Sequence, residues 1–201
     1  MEKTKRIDWE ELWPRLLGLY PFIAEDGGNY TAVLLTEGEE LVDSRKTKTV
    51  LAHLARNFAL DLTLVKARGQ KVLCCRREVP LVLLPELVLL PVKRREAPMK
   101  DAGSLGYVVL SQIAGWEEAK DPPYRTRIAF HHGGFMEVLT TPGTFRKKVA
   151  EAELVLGDYH RRHHPPQHLP GYPVSYGWPV EGQPALYFRE RLSKRGYTGH
   201  Y

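Results

Sequence analysis

Four histidines crowd the segment HRRHHPPQH, at positions 160, 163, 164 and 168. On a helix His160 and His164 fall four apart on one face, the spacing with which paired imidazoles hold zinc. A metal-dependent nuclease or hydrolase is the activity such a cluster would serve. Against it, no carboxylate or thiol completes the ligand set, Arg161 and Arg162 repel a cation, and Pro165 stops the helix. The segment reads better as a polar helix end whose His and Arg side chains complement the negative pole of the helix dipole. His131 and His132 lie apart in HHGG, a hairpin turn.

Other catalytic patterns are missing. The chain holds no Gly-rich phosphate loop, no G-x-S-x-G elbow, no H-E-x-x-H and no Cys-His-Asn order. The acidic residues of EGEELVD, 37–43, fall in a turn and an edge strand, where water tolerates their repulsion, and not in an enclosed site that could pair them for acid–base work. The expectation is a protein that is not an enzyme and takes no cofactor or metal.

Cations offer a different chemistry. The stretch VKRREAPMK, 92–100, sets Lys93, Arg94, Arg95 and Lys100 directly beyond an apolar run, between Pro91 and Pro98. Held on a short loop at the mouth of a buried strand, they suit a DNA groove or its phosphates. Two further triads open helices: Arg45, Lys46 and Lys48, and Arg146, Lys147 and Lys148. There, helix N-terminal amides add to the pull on a phosphate backbone, and the same triads equally suit solvated helix ends.

The charge is unevenly spread. Residues 1–44 carry a net −6, residues 45–100 a net +9 and residues 101–201 a net +2. Such asymmetry argues for an anionic partner, and nucleic acid precedes membrane because no basic amphipathic helix with an exposed apolar face accompanies it. With 43% hydrophobic and 26% charged residues, the 201-residue chain is too apolar to be disordered. Its longest apolar stretch, 79–92, is broken by Glu86 and three prolines and is too short to span a bilayer. The start MEKTKRIDWEEL has no apolar secretory core, so a cytoplasmic protein is expected. Cys74 and Cys75 are neighbours, too close to form an ordinary disulfide, and read as buried reduced thiols in a strand.

The elements that must position these residues follow from periodicity. DWEELWPRLLGLY, with Trp9, Leu12, Trp13, Leu16 and Tyr20 at helical spacing, predicts a short docking helix kinked at Pro14, within an N-terminal segment 1–29. A core over 30–164 opens with the strands YTAVLL and ELVD and a helix starting at Asp43 or Ser44, with Val50, Leu51, Leu54 and Phe58 as its apolar stripe. LTLVKA-RGQ-KVLCC predicts a hairpin turning at Gly69, residues 79–92 a buried strand or strand pair, and LGYVVLSQI another strand before the polar connection WEEAKDPPY. RTRIAF, HHGG and FMEVLTT then make a hairpin, and a helix begins at Pro142 behind Thr141, with Phe145, Val149, Ala152, Leu156 and Tyr159 on one stripe. The fold class is α+β: antiparallel sheet built from two strand-turn-strand-helix units. Residues 165–201, rich in Pro and holding seven aromatics, form a C-terminal extension expected to wrap over the core or a partner chain.

Over residues 30–160 this order of features resembles the ComK family of bacterial competence transcription factors. The resemblance rests on the helix end ARNFA, the strands PLVLLPELVLLP, the basic loop VKRREAP with Pro91 and Pro98, the strand GYVV, and IAFHHGGFMEVLTTPGTF. Val92 stands where a small hydroxyl residue is common in the family, Tyr107 follows an inserted DAGS, and the C-terminal extension runs beyond the usual family end. The resemblance implies an activator that binds AT-rich paired boxes of double-stranded DNA through the minor groove, bends them, and acts as a homodimer or higher homo-oligomer. A protein-interaction module that does not bind nucleic acid is the remaining alternative, marked by the absence of any salt-dependent DNA affinity.

Overall fold

The computed structural model describes residues 7–96 and 103–163. The extension 165–201, with His164 and His168, lies outside the described residues, as does Lys100. Asp8 starts the first helix, α1 (Trp9–Leu12), by accepting a bond from the Glu10 amide at 3.0 Å. A single 3₁₀ turn with Pro14 follows, and the chain then straightens into strand β1 (Leu16–Ile23). The expected docking helix therefore ends early, and its second half is the interior of a sheet. Gly18 explains the difference: a Cβ there would lie 2.7 Å from the Tyr107 carbonyl and 2.9 Å from the Met136 methyl, so glycine lets a neighbouring strand and the packed layer approach.

Strands β2 (Asn29–Leu35) and β3 (Glu40–Asp43) match the sequence reading. Helix α2 (Thr47–Asn57) starts later than expected, because Asp43 stays in the ladder opposite Thr31 and its carboxylate bonds the Arg45 amide. The expected hairpin at 62–75 is instead helix α3 (Leu62–Val72). Asp61 caps it, accepting from the amides of Thr63 at 2.6 Å and Leu64 at 3.1 Å. Gly69 does not turn the chain; a Cβ there would meet Val79 Cγ2 at 2.9 Å and the Pro80 carbonyl at 3.1 Å, so its bare backbone lets α3 lie against the chain entering the next strand. The reversal comes later, at Cys74 with φ 49°. Cys74 is thus exposed and Cys75 partly so, in a turn and not in a buried strand.

Residues 79–92 form the expected pair, β4 (Leu81–Val82) and β5 (Val88–Lys93). Next come β6 (Leu105–Val109), β7 (Ile113–Glu118), β8 (Thr126–Phe130) and β9 (Phe135–Val138). Trp116 to Glu118, expected in a connection, belong to β7. Helix α4 (Pro142–His163) opens as predicted, with Thr141 Oγ1 accepting from the Thr144 amide.

Among the described residues all pairing is antiparallel. A six-stranded sheet has the order β3-β2-β1-β6-β5-β4, and a three-stranded sheet the order β7-β8-β9. Leu16, Leu19, Val33, Leu35, Leu89 and Val109 bury one face of the large sheet under Val50, Leu51 and Leu54 of α2. Leu17, Val88, Leu90, Val92 and Val108 bury the other under Ile128, Met136 and Val138 of the small sheet and Phe145, Ala152 and Val155 of α4. Both expected strand-turn-strand-helix units exist, as β2-β3-α2 and β8-β9-α4, in different sheets and with their helices on opposite faces of the larger one. Arg68 ties α3 to α4 through two bonds to Asp158, at 2.8 and 2.6 Å. No helix among the described residues is long and apolar enough to cross a membrane.

Candidate nucleic-acid interface

Strand direction decides where the cations meet. Because every pairing is antiparallel, β5 leaves the large sheet at the end where β4 and β6 enter it, Leu81 opposing Leu89 and Leu105 opposing Lys93. The same end receives the last residues of β1, opposite Asn29, and of β3, where Asp43 opposes Thr31. The start of α4 is fastened there as well: the Leu139 amide donates to the Lys93 carbonyl at 2.7 Å, and the Lys93 amide donates to Thr140 Oγ1 at 3.2 Å. The three cationic groups read from sequence thus emerge from one end of the sheet, Lys100 alone lying outside the described residues.

At that end they behave differently. Arg45 is paired with Asp43, with bonds of 2.9 and 2.6 Å that brace the turn into α2. Burial pushes the Asp43 carboxyl up, but its bonds from Arg45 outweigh that and hold it below the ordinary value. Lys46 and Lys48 are exposed at the start of α2. Lys93 pairs with Glu96 at 2.7 Å. Both arginines of the basic loop are half-buried. Arg94 lies between the rings of Tyr20 and Tyr124, 4.9 and 4.5 Å from their centroids. Arg95 donates to Asn29 Oδ1 at 2.7 Å and to the Gly103 carbonyl at 3.0 Å, and burial lowers its pKa. Both side chains are thus held against the protein rather than extended from it.

Arg146 and Lys147 are exposed on the first turns of α4 and Lys148 is half-buried. Desolvation lowers the Lys148 pKa; Glu151 and Glu78 act against that and Arg77 with it. The influence of Arg77 reveals a group that the sequence reading missed. Arg76 and Arg77 sit in the turn between α3 and β4, exposed, with their carbonyls accepting from the Gln70 side-chain amide at 3.3 and 3.2 Å. Arg125, exposed, joins the same end through its amide bond to the Val138 carbonyl at 2.8 Å. The signal is present in CCRREVP, cations set directly against a buried strand as in VKRRE, but their place in the fold depends on helix α3, where the sequence reads as a hairpin. Among the described residues, none of Lys46, Lys48, Arg76, Arg77, Arg125, Arg146, Lys147 or Lys148 enters an ion pair, whereas Arg15, Lys66, Arg68 and Arg127 do.

The β1–β2 turn brings Glu25 and Asp26 to this end as well. They separate Lys46 and Lys48 from the larger group around Arg77 and Lys148. The opposite end is acidic: Glu37, Glu39 and Glu40 connect β2 to β3, Glu86 turns β4 into β5, and Glu10 and Glu11 lie on the helix that leads into β1.

Among the described residues the histidines form no assembled site. His163 stacks on Tyr159 with centroids 3.9 Å apart, and its Nδ1 lies 2.8 Å from the Tyr159 carbonyl. Asp158 is taken up by Arg68 and Arg162. Among the described residues no group of three His, Cys, Asp or Glu side chains could hold a metal ion. Comparison with protein families, curated proteins and solved structures gives no match to this chain.

Proposed function

We propose that this protein binds double-stranded DNA as a transcription regulator of the competence type, with a preference for AT-rich boxes and with two or more copies acting together. The observation that carries the reading is the convergence of cations outside any ion pair from three separate segments, 76–77, 125 and 146–148, all exposed but the half-buried Lys148, on one end of a rigid sheet. Six cations so arranged match what a phosphate backbone needs: fixed positive charge, with counterion release as the driving force. Lys46 and Lys48 add a second, smaller contact beyond the acidic turn. The preference for AT-rich sequence and the minor groove rests on the resemblance to the ComK family. The basic end supports the phosphate part of the reading.

Fluorescence anisotropy with AT-rich and GC-rich duplexes at several salt concentrations tests the proposal. Log affinity should fall linearly with log salt, by about 0.9 per phosphate contact, with the AT-rich duplex bound more tightly. Affinity that is absent, or indifferent to salt, overturns it.

A further inference from the structure

The sandwiched Arg94 joins parts of the molecule that bear different contact cations. Tyr20 belongs to β1 of the large sheet, and its hydroxyl bonds Glu40 at 3.1 Å. Tyr124 directly precedes Arg125 and the small sheet. Between them the Arg94 guanidinium covers a face of each ring, and its buried Nε has no hydrogen-bond partner among the described residues. Its backbone is equally fixed, the Arg94 amide donating to the Ser104 carbonyl at 2.9 Å. A planar cation can serve two aromatic faces at once, which a compact ammonium on a flexible stem cannot.

Resting on the DNA reading above, we propose that Arg94 is a positioning residue: by clamping Tyr124 to the large sheet it holds Arg125 and the start of α4 in fixed register with Arg76 and Arg77. Beside the shared buried core, the Lys93 backbone also joins the two sheets at this end through its bonds with the Leu139 amide and Thr140 Oγ1, but neither bond reaches Tyr124. The clamp fixes the segment that leads into β8, so several cations meet the phosphates of one duplex together. Arg94 thereby acts on DNA without touching it.

Three variants test this: Arg94→Gln, which loses charge and plane; Arg94→Lys, which keeps charge and loses plane; and Tyr124→Leu, which changes no charge. The clamp predicts that all three weaken binding to the AT-rich duplex by about five- to tenfold, the scale of one misplaced phosphate contact near 0.1 M salt. Amide exchange at Arg94 and Arg95, measured without DNA, should quicken in each. Wild-type affinity in Arg94→Lys or in Tyr124→Leu would overturn the proposal, since only a direct charge contact tolerates those changes. If the wild-type chain shows no salt-dependent DNA binding, the DNA reading itself fails, and unchanged amide exchange in the variants would then remove the clamp as well.

Discussion

Arg76 and Arg77 offer the sharpest test of the basic end, because both are exposed, neither enters an ion pair among the described residues, and only their carbonyls serve the fold. Replacing both by Gln should cost less than about 0.5 kcal/mol of stability, as for other surface changes away from caps and cores. The effect on DNA should be far larger. Each phosphate neutralised contributes about 0.9 to the slope of log affinity against log salt and, near 0.1 M salt, about eightfold in affinity. The double variant should therefore lose about 1.8 from the slope and about 60-fold in affinity at that salt. Anisotropy titrations between about 0.05 and 0.3 M salt resolve such a change. Arg56→Gln is the control, an exposed arginine in the last turn of α2, away from the basic end. A double variant with the wild-type slope, or a control that loses as much slope as one of the tested arginines, would refute the assignment of this end to DNA.

Lys148→Met should separate stability from binding. The folded chain depresses this lysine's pKa by desolvation, so its charge is a cost to folding that is present at neutral pH and fades as pH rises toward the ordinary lysine value. The variant should melt at a slightly higher temperature at pH 7, with that advantage shrinking as pH rises toward the ordinary lysine value, while the DNA salt slope falls by about 0.9. Gly69→Ala should destabilise by about 1–3 kcal/mol on denaturant unfolding, because its Cβ would press on Val79 and the Pro80 carbonyl. Asp158, held at a pKa of about 2 by its bonds from Arg68 and Arg162, contributes stability that is present above the ordinary carboxylate value and is lost as pH falls toward 2. Asp158→Asn should accordingly lower the melting temperature at pH 7 and flatten its fall between pH 4 and pH 2, where the carboxylate would have titrated.

The sequence made some elements plain and concealed others for identifiable reasons. Thr141-Pro142 and the stripe from Phe145 to Tyr159 announce α4, because cap, first-turn proline and periodicity agree. LLGLY was ambiguous, since its apolar residues fit a helix as well as a strand, and what decides the matter is the approach of Tyr107 and Met136 to Gly18. Gly69 misled in a similar way: a glycine between two apolar runs suggests a turn, but here it answers the closeness of Val79 and Pro80, which only the fold supplies. The same limit applied to the candidate site. Each triad of cations was legible locally, whereas their arrival at one end depends on strand order. Arg94 and Arg95 looked like a solvent-facing loop because Tyr20, Tyr124 and Asn29, the groups that hold them, are distant in the chain.

The acidic residues at the far end of the sheet also bear on kinetics. With Glu10, Glu11, Glu37, Glu40 and Glu86 at one pole and the unpaired cations at the other, the described residues carry a charge dipole along the strand axis. In the field of a polyanion such a body experiences a torque before contact, turning the α3–β4 turn and the start of α4 toward the duplex and Glu86 away from it. Fewer encounters are then wasted on the wrong orientation, and the gain is greatest at low ionic strength, where the field reaches furthest. Reversing the charge of the distant glutamates would slow association while leaving every proposed contact with DNA in place.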